Sequence, residues 1–248
     1  MFVIENGVLK KYIPEDQEVK IETTSGVGVM KITEQVVTIP NEVKHIGKRA
    51  FIKCLNLKKI ILPEGLLTIG ERAFKDNKAL EEIVLPESLV EIGEGAFSEC
   101  KSLKRIAIPK QIKTLPQYVF RGCTQLEEIT LPEYMTAIGK VAFRECTHLK
   151  TITIPEGITK IDTQTFLFCS RLETVTLPST LEEIGYQAFE VCENMTYLKL
   201  PRKVTRFGDA CFGACYKLEL HLPKYTLMPT DVYYGNVFHK ELKIVRYE

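Results

Sequence analysis

The chain has 248 residues, 45% of them hydrophobic and 26% charged, a balance that excludes a disordered segment and fits a soluble packed protein. Its 33 basic and 32 acidic residues leave a net charge of +1, which excludes the basic footprint of a nucleic-acid binder. No apolar run is long enough to span a bilayer, so no membrane insertion is expected, and no signal peptide is visible at the start.

In chain order, residues 2–12 predict a hairpin, because Asn6-Gly7 suits a type I′ turn between two apolar stretches. Residues 13–29 predict a further strand and a loop around Thr23 to Gly26. Residues 1–29 thus form an N-terminal cap, 30–222 a repeat region and 223–248 a C-terminal cap. The tail from Lys224 to Glu248 loses the period but keeps Tyr225, Tyr233, Tyr234 and Phe238 and ends in an alternating stretch from Leu242 to Tyr247.

The repeat is carried by two columns. Phe51, Phe74, Phe97, Phe120, Phe143, Phe166, Phe189 and Phe212 stand 23 residues apart. Pro40, Pro63, Pro86, Pro109, Pro132, Pro155, Pro178 and Pro201 keep the same step. A fixed period of about 20 to 30 residues marks a solenoid, in which each unit buries its apolar face only against its neighbours. With Leu85 as position 1 of a 23-residue ruler, Leu80 to Leu85 ends in period-two alternation, a strand with Ile83 and Leu85 inward and Glu82 and Val84 outward. Proline ends that strand. A second short strand, Leu89 to Ile92, breaks at Gly93, where a positive φ is expected. Glu94 to Cys100 then reads as one helical turn. The prediction is a repeat solenoid of eight coils, mainly β, with one parallel strand, a second short strand and a short helical turn per coil.

The pattern L-x-x-I-x-L-P-x-x-L-x-x-I-G-x-x-A-F-x-x-C resembles the leucine-rich repeats of the BspA-like, or Treponema-type, family from Met30 to Pro223. The resemblance implies a right-handed, curved leucine-rich-repeat array with a continuous parallel sheet. It also implies a bacterial, often surface-exposed or secreted protein linked to adhesion and protein binding. Read as complete, the chain is expected in the cytoplasm; read as trimmed, the resemblance points to the cell surface or the outside. Pro116 and Asp162 depart from the pattern at the glycine, Asn77 at the cysteine and Thr165 at the alanine. One residue is missing between Leu218 and Leu222, so the last coil is expected to be irregular.

Seven of the eight cysteines, Cys54, Cys100, Cys123, Cys146, Cys169, Cys192 and Cys215, share position 16, and Cys211 takes the alanine slot. Identical slots in stacked coils project side by side, whereas a disulfide needs converging Cβ atoms. They predict a ladder of buried reduced thiols, with no metal site. The four histidines fall at different repeat positions, and no nucleophile elbow, zinc-protease or phosphate-loop motif occurs. An enzyme is therefore not expected, and no cofactor.

The candidate binding surface is the outward face of the main strands at positions 21 and 23. Along the array these are Lys59 and Ile61, Glu82 and Val84, Arg105 and Ala107, Glu128 and Thr130, Thr151 and Thr153, Thr174 and Thr176, and Tyr197 and Lys199. The graded column, apolar at one end and hydroxylated at the other, suits a protein ligand; equally, β-branched residues simply make good exposed strands. Tyr197 is the one aromatic on these columns, which weakens the case for a glycan. A second patch, Leu167, Phe168, Val191 and Ala214, places apolar residues at position 15 and beside it, where earlier coils carry Lys53, Asp76, Glu99 and Glu145. Either the C-terminal tail folds over it, or a dimer or partner does. The resulting expectation is a non-enzymatic protein-binding scaffold that works through its strand face; the alternative is a surface adhesin for glycan or host matrix. Ligand identity and oligomeric state are not readable from the sequence.

Overall fold

The protein is described by a computed structural model that covers residues 2–12, 35–227 and 243–248. Strands are numbered in chain order. β1 (Phe2–Glu5) and β2 (Val8–Tyr12) pair antiparallel as a hairpin, turning at Asn6 and Gly7 with φ of 51° and 74°. Each coil of the array then contributes two strands. The main series is β3 (Val36–Thr38), β5 (Lys59–Ile61), β7 (Glu82–Ile83), β9 (Arg105–Ala107), β11 (Glu128–Thr130), β13 (Thr151–Thr153), β15 (Thr174–Thr176), β17 (Tyr197–Lys199) and β19 (Glu219–Pro223). The second series is β4 (His45–Ile46), β6 (Thr68–Ile69), β8 (Glu91–Ile92), β10 (Thr114–Leu115), β12 (Ala137–Ile138), β14 (Lys160–Ile161), β16 (Glu183–Ile184) and β18 (Arg206–Phe207). β20 (Lys243–Tyr247) pairs parallel with β19. The expected strand and loop at 13–29, and Tyr233, Tyr234 and Phe238 of the tail, lie outside the described residues. No helix among the described residues is long and apolar enough to cross a membrane.

The core is the phenylalanine column. All eight rings are buried and stacked, with neighbouring centroids 5.2 to 5.8 Å apart. The hairpin extends this column: Tyr12 stacks on Phe51 at 5.0 Å, and Phe2 meets the same ring edge-on at 6.3 Å. β2 also pairs parallel with β4, so it acts as the second strand of an incomplete leading coil.

The expected helical turn is absent, and no helix occurs among the described residues. Positions 11 and 15 of each coil are left-handed, as at Arg72 and Asp76 (φ 55° and 64°), Gly95 and Glu99 (58° and 63°) and Val141 and Glu145 (62° and 66°). Left-handed residues interrupt the right-handed winding that a helix needs. The N–H groups instead alternate in direction. Those of Arg72, Phe74 and Asp76 donate to Glu94, Ala96 and Ser98 of the next coil at 2.8, 2.8 and 2.9 Å. Those of Ala73 and Lys75 stay within the coil, donating to Gly70 and Arg72. The segment is therefore a third inter-coil ladder built of turns.

Gly93 also differs from expectation, since its φ is not positive. A Cβ there would lie 2.6 Å from the carbonyl carbon of Gly70, so the glycine is required by close approach of the preceding coil. The two exceptions at this position have a structural consequence. The continuous sheet is in fact segmented: the second series pairs as β1-β2-β4-β6-β8, β10-β12 and β14-β16-β18. Its two openings fall where Pro116 and Asp162 replace glycine. Gly93 and Gly139 donate their N–H groups to Ile69 and Leu115 at 2.7 and 2.9 Å, a bond proline cannot make. Pro116 and Asp162 also carry a Cβ at the position where glycine elsewhere lets the preceding coil's backbone approach closely.

The main series opens at the same two junctions, pairing as β3-β5-β7, β9-β11, β13-β15 and β17-β19-β20. Nothing in the structure explains its additional opening between β15 and β17. Across the two shared junctions the turn-side ladder persists, through Gly95 to Gln117 and Phe97 to Val119, and through Val141 to Thr163 and Phe143 to Thr165. The missing residue in the last coil is absorbed ahead of β19: Tyr197 pairs with Glu219 at an offset of 22 residues, and the ladder continues.

Candidate functional site

Strand alternation puts positions 21 and 23 on one side of the main series and position 22 in the core. Of the fourteen candidate residues, Ile61, Glu82, Val84, Arg105, Ala107, Glu128, Thr130, Thr151, Thr153, Thr174, Thr176, Tyr197 and Lys199 are exposed, and Lys59 is half-buried. Cross-strand neighbours are set by the register: Lys59 faces Glu82, Arg105 faces Glu128, Ala107 faces Thr130, and the threonine pairs face one another. Lys59 and Glu82 form an ion pair at 3.0 Å. Val36 and Thr38 of β3 extend both columns at one end. At the other end Glu219 and His221 continue them, with His221 facing Lys199 and its ring 4.6 Å from that of Tyr197. The missing residue hides this continuation from a fixed 23-residue ruler.

Glu219 anchors that end. Its carboxylate accepts from Lys243 at 2.6 Å and from His221 at 2.7 Å, and these bonds hold it below the ordinary carboxylate value. Lys199 lies over the ring of Tyr247 at 4.5 Å.

Four of the candidate threonines are gathered into a cleft of about 890 Å³ on this face. Thr130, Thr151, Thr153 and Thr176 share it with Tyr134, Thr136, Glu133, Glu156 and Gly157. The cleft straddles β11 and β13, at the junction where both strand series are open. Tyr134 is 71% exposed, and Gly157 takes the same coil position one coil on without a side chain to cover it. A Cβ on Gly157 would collide with the carbonyl oxygen of Met135. Glu156 accepts hydrogen bonds from the Ser179 hydroxyl and backbone N–H at 2.8 and 3.0 Å, which lower its carboxyl from the ordinary value. The strand columns do not include Tyr134 and Gly157; an aromatic followed 23 residues later by glycine was the available signal.

Buried thiols form the other long column. All eight cysteines are unpaired and buried. From Cys100 onward each position-16 thiol donates to the phenylalanine carbonyl of the coil before, as Cys100 does to Phe74 at 3.1 Å and Cys215 to Phe189 at 3.0 Å. Burial pushes the Cys54 and Cys215 thiols up to about 12.

The repeat of strand, proline turn, short strand and stacked phenylalanine finds its counterpart in a family model. Two stretches, residues 30–118 and 91–219, match the model of the BspA type leucine rich repeat region, with six copies. The chain belongs to this family. Among solved structures, a leucine-rich repeat protein of T. pallidum is 26% identical with a TM-score of 0.60, over 84% of this chain and 91% of that one. A leucine-rich repeat protein from Eubacterium ventriosum is 25% identical with a TM-score of 0.54; 94% of this chain matches 50% of that one. No curated protein matches the chain.

In this BspA-type array Leu167 drops out of the second candidate patch, while Phe168, Val191 and Ala214 remain partly open to solvent in successive coils. Leu167 is buried, Phe168 is 40% exposed with the Arg144 guanidinium 5.9 Å from its ring centre, and Val191 and Ala214 are half-buried. Phe168, Val191 and Ala214 occupy the left-handed position 15, with φ of 64°, 61° and 54°. The tail expected to cover them runs through 228–242, outside the described residues.

Proposed function

We propose that the chain is a non-enzymatic scaffold that holds a protein partner on the outward face of its main strands. The observation carrying this reading is the pair of side-chain columns, exposed coil after coil from Ile61 and Val84 to Tyr197 and Lys199. The backbone beneath them is held by strand pairs and, across the junctions where those are open, by the turn-side ladder, so a partner meets side chains already in position and binding orders little. The mixture along the columns, with Ile61, Val84 and Ala107 apolar and charged or hydroxylated neighbours around them, fits the apolar centre and polar rim of protein interfaces.

The test is capture from bacterial lysate and from host-cell extract on immobilised protein, beside the double variant Ile61→Lys with Val84→Glu. Both side chains are exposed, so the fold is expected to persist, checked by circular dichroism. A protein retained by the wild type and lost by the variant supports the reading. Equal retention by both sinks it.

A further inference from the structure

We propose that the cleft between β11 and β13 is an anchor pocket that receives one apolar side chain of an extended protein segment, flanked by a basic residue. This rests on the strand face being the partner surface and adds where the partner is gripped and by what chemistry. The floor is aliphatic. Ile129, Leu131 and Leu177 are only half-buried, whereas Ile106, Ile152, Ile108, Ile154 and Leu200 at equivalent inward positions are buried. Ile129 and Leu131 belong to the coil whose strand ladder to the next coil is open, so inward-facing side chains there are reachable from the surface. Covering them with a partner's side chain removes apolar area from water, the largest favourable term in association.

The walls select charge. Among the described residues, the lining carries the carboxylates Glu133 and Glu156 and no lysine, arginine or histidine. Glu156 is fixed in place by Ser179, and the exposed Tyr134 ring offers a face of the kind that attracts cations. Lys113 already places its ammonium 5.4 Å from the centre of that ring. An anionic ligand would meet like charge, whereas an arginine or lysine beside the anchor finds two carboxylates and an aromatic face. The hydroxyls of Thr130, Thr153 and Thr176 line the same side and can hydrogen-bond the backbone of an extended segment. A saccharide is less well served, because among the described residues Tyr134 is the one aromatic side chain in the lining and the floor is branched aliphatic.

The experiment is an amide NMR titration of the whole chain with the end-capped tripeptide Arg-Phe-Arg at millimolar concentration. Glu-Phe-Glu, Arg-Gly-Arg and maltotriose serve as comparison ligands. Arg-Phe-Arg is expected to shift amides of 129–136, 151–157 and 176–177. Replacing its arginines by glutamates, or its phenylalanine by glycine, is expected to weaken binding about tenfold or more. Tyr134→Ala and Thr153→Arg, both at exposed positions, are expected to abolish the shifts while the rest of the spectrum is unchanged. Absence of cleft shifts, equal response to Glu-Phe-Glu, or a stronger response to maltotriose would overturn the proposal. If the cleft stays silent while Ile61→Lys with Val84→Glu still releases a captured partner, the anchor pocket fails and the strand-face reading stands. If the cleft responds while that variant retains the partner, the pocket stands and the wider face fails.

Discussion

The side-chain amide of Asn77 donates to the carbonyl of Phe51 at 2.7 Å, the bond that Cys100 makes to Phe74 one coil later. Asn77 adds a second bond to the Phe74 carbonyl at 2.7 Å, and its own side-chain oxygen is buried without a partner. The position-16 side chain thus donates to the phenylalanine carbonyl of the coil before, and a thiol or an amide N–H serves. Asn77→Ala removes that donor and is expected to cost about 1–3 kcal/mol. Asn77→Cys keeps a donor, removes the orphaned oxygen, and is expected to leave stability equal or higher. Urea denaturation of the two variants beside the wild type checks both; an Ala variant as stable as the wild type contradicts the account.

Pro116 sits where a backbone N–H would close the second strand series. Pro116→Gly restores both the donor and the room, so the residue 116 amide is expected to bond to the Ile92 carbonyl. Its hydrogen exchange should then be as slow as that of Gly93 and Gly139. Exchange is the better reading than melting temperature, because glycine also costs about 0.5–1 kcal/mol through chain entropy. Rapid exchange at residue 116 would show that the opening has another cause.

Val191 is a β-branched residue held at φ 61°. For such a residue the left-handed region is an outlier costing about 1–2 kcal/mol, whereas asparagine tolerates it. Val191→Asn is therefore expected to stabilise the array by about 1 kcal/mol, read as a rise in the urea midpoint. An unchanged or lower midpoint would mean that the lost apolar contact outweighs the relief.

Glu219 ties β19 to β20 through Lys243 and lies below its ordinary value of 4.5 in the folded chain. A depressed carboxylate adds stability that is present above its unfolded value and is lost as pH falls through its folded value. The strand from Lys243 to Tyr247 is expected to loosen as pH drops below 4.5. Backbone order parameters across that range report the change. Glu219→Gln should show the loosened strand already at neutral pH, and an ordered β20 in that variant would contradict the assignment.

Much of this architecture was legible because position 13 is phenylalanine and position 2 proline in every coil, and because alternation marks the main strand. The turn from Glu94 to Cys100 was not, since Ala96, Phe97 and Cys100 have helical spacing. Only Gly95 and Gly122 hint at left-handed backbone there; elsewhere those positions carry Arg72, Asp76 or Val141, which conceal it. Gly93 signalled a special position, but whether for φ or for close approach depends on the neighbouring coil, which a single strand of text does not display. The outward columns followed from alternation. The cleft did not, because it arises between coils, where Tyr134 and Gly157 meet across an open ladder.

The most direct test of the strand-face reading is methyl NMR of the chain with its captured partner. Ile61, Val84, Ala107 and Thr153 project their methyl groups from the strand face, while Val191 and Ala214 lie at the turn side. The account predicts that partner addition shifts or broadens the first four and leaves the last two unchanged. Perturbation confined to Val191 and Ala214, with the strand-face methyls still, would contradict it.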